Sequence, residues 1–153
     1  MEKTLVILKP CTIQRGLMGK IISRLERKGL FAVGIKMEWL DEETIREHYK
    51  HLLDKPFFPS ISESMRACPV LLMCWEGKEA VKVVHSLVGS TNGRDALPGT
   101  IRGDYSISTQ ENIIHASDSL ENARTEIDRF FKKEELFDYP LQLRKSIYGS
   151  DER

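Results

Sequence analysis

In Asn112-Ile113-Ile114-His115-Ala116-Ser117-Asp118-Ser119, a histidine closes a short apolar run just before two helix-capping residues. Near neutral pH an imidazole is largely uncharged and nucleophilic, so this residue type can accept a transferred group. Ile113 and Ile114 mark a buried strand, and Asp118 or Ser119 can cap a helix directly after it. Where a strand ends and a helix begins, free backbone N–H groups and the helix dipole converge, which suits anion chemistry. Glu126, on the following helix, is a carboxylate able to orient the ring. A structural histidine hydrogen-bonded in the core fits the same segment, and taken alone it leaves both readings open.

Two cations belong to the same question. Arg102, just before Gly103 in a Gly/Ser/Thr/Asn-rich loop at 89–103, can present its planar fork to phosphate oxygens or be a solvated turn residue. Lys9 follows the first predicted strand and can reach the side of the sheet that carries His115, or be a solvated strand end. Arg102-Gly103-Asp104-Tyr105-Ser106-Ile107 loosely resembles the aromatic strand of an RNA-recognition motif, but Asp104 and Ser106 occupy positions that stacking needs. His48 and His51 have a spacing that a metal could use, yet no third ligand follows, and two exposed histidines are the simpler reading. The chain has neither a P-loop nor a dinucleotide-binding glycine motif.

These residues need a scaffold, and the apolar periodicity supplies one. Residues 4–8 read as a strand ending at Lys9-Pro10. Leu17, Met18, Ile21, Ile22 and Leu25 follow at helical spacing and stop at Lys28-Gly29. A second strand spans 30–40. Asp41 caps a polar helix running to about 51, with Thr44 leaving the capping box incomplete. Lys55-Pro56 breaks it before a short helix at 57–66. Residues 70–75 form a strand buried on both faces, and Ala80, Val81, Val84, Leu87 and Val88 mark a helix closed by Gly89. A fourth strand at 112–116 precedes a helix carrying Leu120, Ala123, Ile127, Phe130 and Phe131 on one face. The predicted fold is α+β: a ferredoxin-like βαββαβ sandwich, with a four-stranded antiparallel sheet and helices on one face. No linker or repeat interrupts it, so residues 1–153 are expected to form a single domain.

Composition sets the outer bounds. Of 153 residues, 23 are basic and 23 acidic, a balance against any wide basic surface for nucleic acid. At 41% apolar and 30% charged the chain is globular in type. Its longest apolar run, 68–75, falls far short of the roughly 20 residues of a membrane helix. Cys11, Cys68 and Cys74 form neither a CxxC nor a zinc pattern and read as free thiols, which with no signal sequence predicts a cytoplasmic protein.

Residues 112–118, together with Gly99-Thr100-Ile101-Arg102-Gly103-Asp104 and Leu8-Lys9-Pro10, resemble nucleoside diphosphate kinases. The similarity runs from Lys3 to about Tyr148 and takes in Arg15-Gly16-Leu17, His48-Tyr49, Lys55-Pro56-Phe57-Phe58 and Trp75-Glu76-Gly77. This resemblance implies ping-pong transfer of a terminal phosphoryl group from a nucleoside triphosphate to a nucleoside diphosphate through a phosphohistidine. It implies His115 as nucleophile with Glu126 orienting it, and Lys9, Tyr49, Thr91, Arg102 and Asn112 holding phosphates and ribose. Phe57 and Ile61 would flank the base, and Mg2+ would be bound mainly through nucleotide phosphates, with no protein metal site. The tail at 134–148 resembles the longer-tailed, hexameric branch, with a homo-tetramer as runner-up. Three departures stand out. His85 replaces a phosphate-binding arginine, implying weaker nucleotide binding that improves as the imidazole charges at acid pH, or else a structural role beside the apolar stripe. Cys11 places a thiol by the site, implying oxidation sensitivity. Gly93 replaces a proline, implying a more flexible loop and weaker subunit packing. His85 and Cys11 motivate an alternative, a catalytically weakened member acting as a scaffold or regulator.

Overall fold

Strand β1 (Glu2–Leu8) organises the molecule, because Thr4 through Leu8 are all fully buried. The computed structural model describes residues 1–152. After β1 come α1 (Pro10–Gln14), α2 (Met18–Arg27), β2 (Phe31–Glu38), α3 (Glu42–His48), α4 (Phe58–Arg66), β3 (Val70–Gly77), α5 (Ala80–Val88), α6 (Ile101–Tyr105), β4 (Ile114–Ala116), α7 (Leu120–Phe130) and α8 (Arg144–Ile147). The strands form one sheet in the order β2-β3-β1-β4, with every neighbouring pair antiparallel. β1 is therefore central, and its Ile7 lies opposite Leu72 on one side and His115 on the other.

Successive side chains of a strand point to opposite faces. Val6 and Leu8 join Met73 and Trp75 on one face, packed by Ile21 and Leu25 of α2, Val84 and Val88 of α5, and Ile101 of α6. Leu5 and Ile7 join Leu72 and Cys74 on the other, packed by Ile45 of α3, Phe58 and Met65 of α4, and Ile127 and Phe130 of α7. Helices thus cover both faces, which corrects the expectation of one. The two crossover helices do share a face, as the split βαβ plan requires. A central strand that is apolar on both sides needs a second layer, and α3, α4 and α7 provide it.

Local signals hold where capping chemistry drives them. The Asp41 carboxylate accepts from the Thr44 N–H at 2.8 Å, and the Ser119 hydroxyl oxygen from the Asn122 N–H at 3.1 Å. The helix after Asp41 ends at His48, earlier than its polar pattern suggests, and the chain continues as a 3-10 turn at Lys50–Leu52. Three short helices were not apparent in the apolar pattern: α1, which starts on Pro10, α6 and α8. Because 101–105 is helical, Arg102 to Ile107 does not form the strand an RNA-stacking platform would need. Gly93 answers to packing rather than flexibility, since a Cβ there would lie 2.4 Å from the Ser106 carbonyl oxygen.

Candidate functional site

Ile113, immediately before β4, has φ of 76°, a rare conformation for a β-branched residue. Its carbonyl is held from two directions, by the Lys9 N–H at 2.9 Å and by the Thr12 hydroxyl. This braced kink lies between Asn112 and β4, and it ties both to the end of β1.

His115 follows, with Nε2 2.6 Å from Glu126 Oε2. Glu126 is buried on α7 and also accepts from the Ser117 hydroxyl at 3.1 Å. Ser117 in turn accepts from the Leu5 N–H at 3.3 Å, so the carboxylate is anchored through β1. A carboxylate on Nε2 fixes the proton there and leaves the Nδ1 lone pair free, because no described residue hydrogen-bonds Nδ1. Ser117 had not been singled out in the sequence, although it stands within the motif.

The cations do different jobs. Arg102 donates to three main-chain carbonyls, of Asn112 at 3.1 Å, Gly89 at 3.1 Å and Ile114 at 2.6 Å. Its guanidinium therefore braces the loop on either side of Ile113, and two of its five N–H groups remain for a ligand. Burial brings its pKa down to about 10, still far above neutrality. Lys9 makes no side-chain hydrogen bond among the described residues. Burial, then repulsion from Arg102, lowers its pKa to about 8 against the opposing pull of Cys11 and Glu111. An ammonium held at such a cost is set up to receive an anion. Cys11 beside it is buried and its thiol pKa is pushed up by that burial, which works against oxidation.

All ten residues expected to serve catalysis or nucleotide binding line a single cavity of ≈ 1090 Å³. Asn112 donates through Nδ2 to the carbonyls of Thr91 and Thr109, while its buried Oδ1 has no partner. The Tyr49 hydroxyl is likewise buried and unpartnered, and burial raises its pKa. Phe57, half-exposed, and Ile61 stand one helical turn apart at the start of α4. His85 lies exposed on the cavity wall, so it is no part of the apolar stripe of α5.

One histidine differs from expectation. His51 is exposed, but His48 is buried and its ring meets that of His115 at 4.6 Å between centroids. Its Nδ1 lies 3.0 Å from Arg129 Nη1 on α7. The pairing of His48-Tyr49 in the motif was the available signal. Periodicity could not reveal it, because the contact bridges residues 67 to 81 positions apart.

Residues 2–136 match the sequence model of the family described as Nucleoside diphosphate kinase. The chain belongs to the nucleoside diphosphate kinase family. It is 60% identical over 152 residues to a nucleoside diphosphate kinase of Parabacteroides distasonis, covering 99% of each chain. Over 142 residues it is 51% identical to that of Pyrococcus horikoshii, covering 91% of this chain and 90% of that one. Among solved structures, a halophilic nucleoside diphosphate kinase from Halobacterium salinarum in complex with CDP superposes with a TM-score of 0.94 at 43% identity, covering 97% of this chain and 99% of that one. A nucleoside diphosphate kinase family protein from Babesia bovis gives 0.92 at 39% identity, covering 97% and 100%. The chain is a phosphotransferase. As a nucleoside diphosphate kinase it moves the terminal phosphoryl group of a nucleoside triphosphate to a nucleoside diphosphate through a phosphohistidine, by a ping-pong route. These likenesses do not favour the scaffold or regulator alternative.

Proposed function

We propose that His115 is the residue phosphorylated in this exchange and that Lys9, Arg102 and Glu126 make the step possible. The observation carrying this reading is the 2.6 Å contact of Nε2 with Glu126 at the wall of a nucleotide-sized cavity. In the first half-reaction Nδ1 attacks the γ-phosphorus, the N–P bond forms, and the bond to the β,γ-bridging oxygen breaks. The diphosphate leaves with that electron pair. The Nε2 proton stays in place, and Glu126 stabilises the positive character the ring acquires. In the second half-reaction a diphosphate oxygen attacks the same phosphorus and the bonds exchange in reverse. Positioning and charge neutralisation carry most of the catalysis.

Lys9 and the free N–H groups of Arg102 would neutralise phosphate oxygens, with Thr91 and His85 on the same wall. Asn112 Oδ1 and the Tyr49 hydroxyl would find their missing hydrogen-bond partners in ribose and phosphate. Phe57 and Ile61 would flank the base without a hydrogen bond to read it, giving broad base tolerance.

Family membership brings a requirement for a divalent cation, and we infer Mg2+. Of the cavity carboxylates, Glu126 holds His115 and Ser117, Glu47 lies 3.8 Å from both Lys50 and Arg129, and Asp118 accepts from Asn122. That set fits a cation arriving on nucleotide phosphates better than one caged by protein. When bound it would supply positive charge to the phosphate oxygens.

We further read residues 1–153 as one domain and the assembly as a homo-hexamer, with a homo-tetramer as the competing form. The long tail supports the hexamer, and the exposed Ile35, Met37 and Trp39 on and beside edge strand β2 support self-association. Free thiols support a cytoplasmic location, and among the described residues no helix is long and apolar enough to cross a membrane. The balanced charge supports no specific nucleic-acid partner.

Incubation with γ-labelled ATP and Mg2+ tests the central assignment. The chain should take up label in an acid-labile, base-stable form, and His115→Ala should not. Equal labelling of that variant would overturn it.

A further inference from the structure

His48 has no place in the phosphoryl-transfer scheme above, yet it is buried against the reacting histidine. Its ring meets His115 edge-on at 4.6 Å and 81°, and it packs edge-on against Tyr49 at 4.7 Å and Phe130 at 5.3 Å. Arginine can only donate, so the 3.0 Å contact from Arg129 Nη1 makes His48 Nδ1 an acceptor and places the ring's single proton on Nε2. His48, His115 and Glu126 each bring one potential ligand atom within 4.8 Å of the others. The permanent charge of Arg129 on the far side of His48 argues against a metal there and for a ring kept neutral.

We propose that Arg129 and His48 form a positioning pair for His115. Arg129 locks His48 as a neutral imidazole, and His48 packs the His115 ring into the orientation that gives Nε2 to Glu126 and Nδ1 to the cavity. Phosphorylation at Nδ1 leaves Nε2 protonated, so the His115 ring gains cationic character as the N–P bond forms. A neutral neighbour allows this, and a protonated one would oppose it at contact distance.

The groups facing His48 are Arg129 and Glu126 from α7, His115 from β4, Lys9 after β1, Glu47 and Tyr49 beside it in the chain, and His51 in the following turn. Burial first, then repulsion from His115, Arg129, Lys9 and His51, lowers the pKa of His48 to about 2. Of the carboxylates, Glu126 is engaged with His115 and Ser117, and Glu47 lies near Arg129 and Lys50.

Arg129 is only partly buried on α7, so it can be replaced with little disturbance of the core. Two variants separate positioning from structure: Arg129→Leu removes the donor, and Arg129→Gln keeps an N–H donor without the charge. Single-turnover phosphorylation by ATP is measured at pH 6 and pH 8, with the nitrogen shifts of 15N-labelled histidines followed over the same range. In wild type, His48 should hold its Nε2–H tautomer without titrating. In Arg129→Leu the Nδ1 lone pair loses its donor, so the Nδ1–H tautomer should become populated, and phosphorylation should slow by roughly tenfold at both pH values, with nucleotide KM within about twofold. Arg129→Gln should keep the wild-type tautomer and most of the wild-type rate. A wild-type tautomer and rate in Arg129→Leu, or a loss of rate accompanied by raised KM, would overturn the proposal. The inference rests on His115 being the phosphorylated residue, and the two fail separately. Absent labelling of wild-type His115 removes that assignment, whereas normal labelling with an unchanged Arg129→Leu profile removes only the pair.

Discussion

Lys9 carries a penalty in the empty site that can be measured directly. Its pKa falls from 10.5 to about 8. At about 1.4 kcal/mol per pH unit, this disfavours the charged form by about 3 kcal/mol relative to the unfolded chain. Between pH 8 and 10.5 the unfolded chain binds more protons at this residue than the folded one, so this contribution to stability rises with pH across that window. Below pH 8 the penalty is fully present, and above 10.5 it is gone. Lys9→Met keeps the length of the side chain without the charge. Ligand-free Lys9→Met should therefore be more stable than wild type by about 3 kcal/mol at pH 7 in urea unfolding, and most of that advantage should vanish by pH 10. The same variant should lose most of its nucleotide affinity. A bound triphosphate restores the proton to Lys9, so at pH 8 wild type should take up about half a proton on binding. Isothermal titration in buffers of different ionisation enthalpy measures that uptake. A variant no more stable than wild type at pH 7, or an advantage that stays constant to pH 10, would refute the reasoning.

Two further outcomes follow from single positions. His85→Arg adds a charged fork to an exposed place on the cavity wall and should lower the diphosphate KM by about fivefold; steady-state kinetics check this, and an unchanged KM would mean that position 85 does not reach the phosphates. A Cβ at Gly103 would lie 1.9 Å from the Leu97 carbonyl oxygen. Gly103→Ala must therefore displace α6 and with it Arg102, at a cost of about 2–3 kcal/mol and much of the activity; thermal unfolding and turnover should fall together.

The segment at 112–119 was legible because local rules make it so: an apolar strand, a histidine at its end, and Ser119 capping the next helix. The crossover helices were legible from their 3.6-residue periodicity, and α2 and α5 sit where it put them. The two-sided burial of β3 could also be read, but its consequence, a second helical layer, was missed. The alternation within one strand does not say what covers each face. α6 escaped notice because it is a single turn whose one buried anchor, Ile101, sits in a polar loop.

The sequence by itself determined the family, the motif around His115 and the order of the strands and longer helices, because each depends on residue type and short-range spacing. Tertiary structure alone decided how those residues behave. Arg102 is a brace with two N–H groups to spare because three carbonyls from two separate segments meet at its guanidinium. Lys9 is a weakened base because it is buried and then repelled by Arg102. His48, which reads as a solvated histidine, is buried against His115 with Nδ1 facing Arg129, because α7 brings that arginine across from 81 residues away. Charge state and hydrogen-bond role depend on what is packed against a side chain, and the chain order does not specify that.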